Sequence, residues 1–180
     1  MILQFNIAII GEHGVGKTTY IERNKTGNFL QNPKIGPNNV CITYYKNPIT
    51  YIPPEVLPNG TIIDTKTIIN PNPNSINFVV YDGNIPDGVK LDGAIIMFNK
   101  VDKTSLEKVT DHYNKVKNNF SDNGQIILCG NKTDIPKMEV KYKDIYKTAN
   151  NLNIKYIDVS SKSNYNLTKP FDYFYDLLTK

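Results

Sequence analysis

The run Gly11-Glu12-His13-Gly14-Val15-Gly16-Lys17-Thr18-Thr19 constrains this chain more than any other stretch. Its G-x-x-x-x-G-K-[ST] pattern has chemical meaning only between a strand and a helix. Both flanks fit. Leu3 to Ile10 is apolar and β-branched enough for a buried strand, and Lys17 to Lys25 predicts a helix ending near Gly27. In that setting the glycines let successive backbone N–H groups fold into a nest around a phosphate, and the helix N-terminus adds partial positive charge. His13, Gly14, Val15, Gly16, Lys17, Thr18 and Thr19 are therefore the candidate phosphate-binding residues, with Lys17 reaching the β and γ oxygens and the Thr18 hydroxyl a candidate Mg²⁺ ligand.

A chain of 180 residues suits one domain with a full core, and a single domain spanning 1–180 is expected. No apolar run approaches the roughly 20 residues of a membrane span, and the first residues lack the pattern of a signal peptide. A cytoplasmic or nuclear protein is expected. Cys41 and Cys129 sit apart in apolar runs, which reads as two buried thiols in a reducing compartment rather than a disulfide or metal site. The net charge of +4 comes from lysines spread along the chain, without interleaved aromatics, so no nucleic-acid partner is expected.

Past the first helix, 28–38 reads as a loop and 40–45 as a strand. The segment 46–75 is rich in Pro and Asn; with a strand over 61–69 inside it, it predicts an elaborated hairpin insertion. Ile76 to Tyr81 is a short apolar strand ending on Asp82, followed by a loop over 83–93. The run Ala94 to Phe98 reads as a parallel strand buried on both faces. Leu106, Val109, Tyr113, Val116 and Phe120 recur at helical spacing, with Thr104 or Ser105 as the cap. A strand over 125–129, a helix over 141–152, a strand over 154–159 and a last helix opened by Pro170 complete the chain. Strands alternating with helices predict a doubly wound, mostly parallel α/β sheet, with its ligand site at the carboxyl ends of the strands.

Two further stretches follow predicted strands. Asn131-Lys132-Thr133-Asp134 spells N-K-x-D, and Ser160-Ser161-Lys162 follows one helix and one strand later. A carboxylate such as Asp134 accepts from the N1–H and 2-amino group of guanine but finds no such pair on adenine. Asn131, Lys132, Asp134, Ser160, Ser161 and Lys162 are the candidate base-binding residues. Asn99-Lys100-Val101-Asp102 spells the same motif without a matching second loop; its other reading is a strand end with Asp102 near a helix start. Asp82 is the candidate acidic residue for the Mg²⁺ water shell, its alternative a turn-initiating Asp before Gly83.

With these residues in place, the chain resembles the small Ras-like GTPases, and within them the Ran branch. The likeness lies in 1–30 and 92–180, above all in Ile127-Leu128-Cys129-Gly130-Asn131-Lys132, Tyr156-Ile157-Asp158-Val159-Ser160-Ser161-Lys162-Ser163-Asn164-Tyr165-Asn166 and Lys169-Pro170-Phe171. The resemblance implies the small-GTPase fold, GTP or GDP with Mg²⁺ as ligands, and two switch loops that recruit protein effectors or transport factors. A link to nucleocytoplasmic transport, or to its subversion, and a monomeric state are expectations of the same kind. No C-terminal cysteine is present to accept a prenyl group, so no lipid anchor is expected. The acidic tail of typical Ran proteins is likewise missing.

Three departures cluster where the family handles the γ-phosphate. Lys34 stands where the family's Mg²⁺-binding Thr precedes an Ile-Gly pair. Asp82-Gly83-Asn84-Ile85-Pro86-Asp87-Gly88 lacks the Gly of D-x-x-G and the catalytic Gln. His13 occupies a family Gly position, crowding the space for an attacking water or an arginine finger, a finger alone being worth about 10³ to 10⁵ in rate. Slow hydrolysis is expected, with no catalytic residue assigned; His13 as a substitute base stands beside its reading as an exposed loop histidine. A Ran-like switch or GTP-locked mimic, a pseudo-GTPase with a structural nucleotide, and a phosphate-loop kinase or ATPase are the readings the sequence supports.

Overall fold

The computed structural model describes residues 3–31, 33, 39–44, 55–56, 62–63 and 76–180. Its elements run β1 (Leu3–Ile10), α1 (Lys17–Thr26), β2 (Asn39–Tyr44), β3 (Glu55–Val56), β4 (Ile62–Ile63), β5 (Ile76–Asp82), β6 (Leu91–Asn99), α2 (Lys103–Glu107), α3 (Val109–Val116), β7 (Phe120–Asn131), α4 (Tyr142–Asn151), β8 (Lys155–Asp158) and α5 (Lys169–Leu178). Six strands form one sheet in the order β2-β5-β1-β6-β7-β8, and the short β3 and β4 pair separately. All neighbours in the large sheet are parallel except the edge strand β2, antiparallel to β5. This is the doubly wound, mostly parallel α/β architecture expected from the alternation of elements.

Strand periodicity explains the two layers of the core. Ile7 and Ile9 of β1, Ile95 and Met97 of β6 and Phe78 of β5 point to the face covered by α1 and α5, where Tyr20, Phe171 and Phe174 are fully buried. Ala8, Ile10, Ala94, Ile96 and Phe98 point the other way, under α2, α3 and α4. A strand buried on both faces has no polar alternation, and for that reason its sequence is a continuous apolar run. Each large aliphatic side chain so buried contributes roughly 1.5–3 kcal/mol.

Several boundaries differ from the sequence expectation. β6 begins at Leu91, so Leu91 to Gly93 belong to the sheet rather than to the preceding loop. The expected long helix is broken at Lys108 into α2 and α3, and its cap is Asp102, whose carboxylate accepts from Thr104 N at 3.0 Å. Phe120 opens β7 instead of closing the helix, because pairing of Phe120 with Leu91 recruits it into the sheet ahead of a register shift. Cys41 is exposed on the edge strand, while Cys129 is buried as expected. Burial pushes the Cys129 thiol up, away from the reactive thiolate. Of the expected hairpin, β3 and β4 pair Glu55 with Ile63 and Val56 with Ile62. Lys34 and the rest of the 46–75 segment lie outside the described residues. No described helix is long and apolar enough to cross a membrane.

Candidate functional site

The carboxyl ends of β1, β5, β6 and β7 converge on one rim of the sheet, and the phosphate loop leaves β1 there. Gly16 ends the loop in the left-handed region at φ 98° and is the N-cap residue of α1, with no side chain to cap it. A Cβ on Gly16 would lie 2.5 Å from Asn131 Nδ2, so glycine is what lets the two candidate loops touch. The first N–H groups of α1 have no intrahelical partners, as at any helix start, and no acidic side chain occupies its first turn. Such an end favours an anion.

Lys17 folds back over the loop, donating from Nζ to the carbonyls of Gly11 and Glu12, both at 2.9 Å. Burial lowers its pKa from the ordinary lysine value, opposed by the charges of Asp82 and Glu12. The Thr18 hydroxyl donates to Asp82 Oδ2, which joins the loop to the end of β5. One hydroxyl and one carboxylate oxygen are the hard ligands that Mg²⁺ accepts. The described residues hold no cluster of three or more His, Cys, Asp or Glu, so a cation here would share its sphere with phosphate oxygens and water, as Mg²⁺ characteristically does. The residues present thus fit the implied ion. His13 is exposed, as the loop reading had it.

The two candidate base-binding loops are built into the same rim. Asn131 Nδ2 donates to Val15 O at 3.0 Å, and Lys132 Nζ to Gly14 O at 2.9 Å, so the N-K-x-D loop is tied to the phosphate loop by two hydrogen bonds. Lys132 takes a left-handed φ of 66°, unfavourable for a lysine, which aims its side chain back along the loop. Asn131 Oδ1 also accepts from Ser161 N at 3.3 Å, and Ser160 Oγ donates to Asp134 at 2.6 Å. Asn131, Lys132, Asp134, Ser160 and Ser161 are thus brought together with Gly14 to Thr18, while Lys162 is exposed beside them. Thr19 lies half-buried on the first turn of α1.

The duplicate motif has a different job. Asn99 pairs in register with Asn131, so both copies sit side by side at strand ends. Lys100, however, is wholly buried, donating to Asp158 at 2.7 Å and to the Tyr142 hydroxyl at 2.8 Å, and Asp102 caps α2. One contact escaped the sequence altogether. Glu12 of the phosphate loop meets His112 of α3, Oε1 to Nε2 at 2.9 Å. The acidic residue inside the glycine-rich loop was its signal, but nothing local marks a partner 100 residues away.

A six-stranded doubly wound sheet with this loop at the end of its first strand defines a phosphate-loop nucleotide-binding fold. The Ras family model matches residues 88–180, just over half of the chain and the half that carries N-K-x-D and Ser160 to Lys162. The chain belongs to the Ras family, and it is a small GTP-binding protein.

Proposed function

We propose that the protein is a Ran-like guanine-nucleotide-binding protein that holds GTP or GDP with Mg²⁺ and hydrolyses GTP slowly. The observation that carries this reading is the direct joining of the two loops through Asn131 with Val15 and Lys132 with Gly14. Phosphate and base would then be held by one connected unit. Gly14 to Thr19 would cradle the phosphates, with Lys17 leaving its carbonyl partners to meet the β and γ oxygens. Asp134, oriented by Ser160, would accept from the guanine edge, with the backbone at Ser161 near the guanine oxygen and Lys162 over the base. Thr18 and Asp82 would hold the Mg²⁺, whose chemistry is to neutralise phosphate charge. Its partners would be protein effectors or transport factors met in the cytoplasm or nucleus, and a single domain acting as a monomer suffices for that role.

Slow hydrolysis is supported by what surrounds the γ-phosphate position. Residues 83–90 contain no Gln to orient an attacking water, and exposed His13 stands at the mouth of the loop. An orienting Gln and an arginine finger together separate activated from intrinsic rates by about 10⁵. We expect single-turnover GTP hydrolysis to be slow and to change less than about tenfold on adding an activator of Ras-family proteins, a small fraction of the 10³ to 10⁵ that a finger supplies. Activation by about 10³ or more overturns this part of the proposal. Mass spectrometry of the copurifying nucleotide tests binding itself: guanine nucleotide is expected, and adenine nucleotide would contradict the role of Asp134. A second reading, in which the nucleotide is structural and no switch operates, is favoured by the brevity of the 83–90 connection.

A further inference from the structure

Residues 83–90 join β5 to β6, two parallel strands that both pair with β1 and lie on opposite sides of it. The connection must therefore cross over β1. Asp82 is level with Ile9, and Leu91 enters β6 two residues before Gly93, which is level with Ile7. The chain descends about four residues, near 13 Å, and moves sideways by two strand spacings, near 10 Å. Climbing over the β1 side chains and back, at half the roughly 10 Å layer spacing each way, brings the path to about 26 Å. About nine residue steps are available, worth about 30 Å when fully extended and about 14 Å as a helix. The crossing has room for a turn and none for a helix.

The local geometry agrees. Gly83 bends the chain off β5 with φ 73°, Gly88 turns it at φ 81°, and Val89 N closes a turn on Pro86 O at 3.3 Å. Ile85 and Val89 pack on the face that carries Ala8, Ile10 and Leu91, which pins the crossing at both ends. A loop that senses a γ-phosphate needs an amide to offer it and slack with which to move. Here Gly83 N donates to Ile9 O and Asn84 N to Asp82 O, both at 2.9 Å, and Pro86 has no N–H; Ile85 N has no such bond among the described residues, but its side chain is anchored on the core face and limits where that amide can move. The segment nevertheless starts beside the phosphate site, since a Cβ on Gly83 would sit 3.5 Å from Lys17 Cε.

From the topology and these bonds we infer that residues 83–90 form a fixed strap that does not read the γ-phosphate, so nucleotide state is not transmitted through this face. A partner docking on the strap meets the same surface with either nucleotide. A ligand that makes no differential contact with two states shifts no population between them. The inference rests on the proposal that the site holds guanine nucleotide, and the test separates the two. Calorimetry of the full chain with Mg²⁺ first measures binding of GDP and of GTPγS; binding of neither overturns the proposed function, and the inference with it. Given binding, hydrogen exchange of the 83–90 peptide is compared between the two loaded forms. Exchange rates within about threefold of each other are expected. A change of tenfold or more between GDP and GTPγS overturns the strap while leaving nucleotide binding intact. In a variant with Gly-Ser-Gly-Ser inserted after Pro86, exchange of the same peptide should rise at least tenfold in both forms. If it stays at the parent rate, tension in the crossing is not what holds the segment, and the inference falls.

Discussion

Replacing Lys100 by Met is expected to lower the unfolding free energy by about 3–5 kcal/mol, the usual effect of removing one partner from a buried ion pair. The Lys100 side chain is wholly buried, and its ammonium contacts Asp158 at 2.7 Å and the Tyr142 hydroxyl at 2.8 Å, with the Tyr142 ring centroid 4.1 Å away. Asp158 also accepts from the hydroxyls of Tyr142 and Tyr156. Burial, then the bond to Asp158, pushes the Tyr156 phenol well above its ordinary value, so it remains a proton donor at any physiological pH. Met fills the volume but leaves the carboxylate with tyrosine donors alone, in a place where its charge is poorly hydrated. Denaturant titration measures the effect as a lowered midpoint at constant slope. A loss below about 1 kcal/mol, the level of an exposed pair, would contradict the burial of this ammonium.

Asp134→Ala is expected to weaken GTP and GDP binding by about 10² to 10⁴ with little change in stability. Two hydrogen bonds from guanine to an ionised acceptor are worth about 1.5–3 kcal/mol each, and a factor of ten in affinity corresponds to about 1.4 kcal/mol. Ser160 Oγ, donating to Asp134 at 2.6 Å, holds the carboxylate in one orientation before any base arrives. Asp134→Asn makes the sharper variant. It replaces an acceptor by a donor, so xanthine nucleotides, with a carbonyl where guanine has its amino group, should gain affinity as guanine nucleotides lose it. Displacement of a fluorescent nucleotide measures both. Equal guanine affinity in the parent protein and Asp134→Ala would remove this residue from the base site.

Much of the site is legible one residue at a time because its chemistry is local. Glycine spacing, a lysine and a hydroxyl at the start of a helix, and a carboxylate behind a strand are all set within a few residues. The same holds for β1, for α1 with its Gly27 terminus and for Pro170 at the start of α5, where side-chain pattern and backbone preference agree. Cys41 shows the limit of that logic. An apolar alternating run marks β2 as a strand with Ile42 and Tyr44 buried; Cys41 lies on its opposite face, which is left open at the sheet edge, and edges are made by strand order.

By itself, then, the sequence determined the kind of sheet, the phosphate loop at the end of its first strand and the guanine-type motif that follows a later one. The Ser160 to Lys162 loop already favoured the second N-K-x-D copy; what tertiary structure alone decided was the role of the first. The two copies are identical in pattern and adjacent in register, and they part because Asp158 and Tyr142, far along the chain, draw Lys100 inward, while Gly16 leaves open the space that Asn131 enters. The strap was decided in the same way. A short run between two strands is an ordinary loop until the sheet order puts β1 between them, and only then does its length become a mechanical constraint. Contacts between distant residues depend on how the sheet is wound, and no local propensity encodes that.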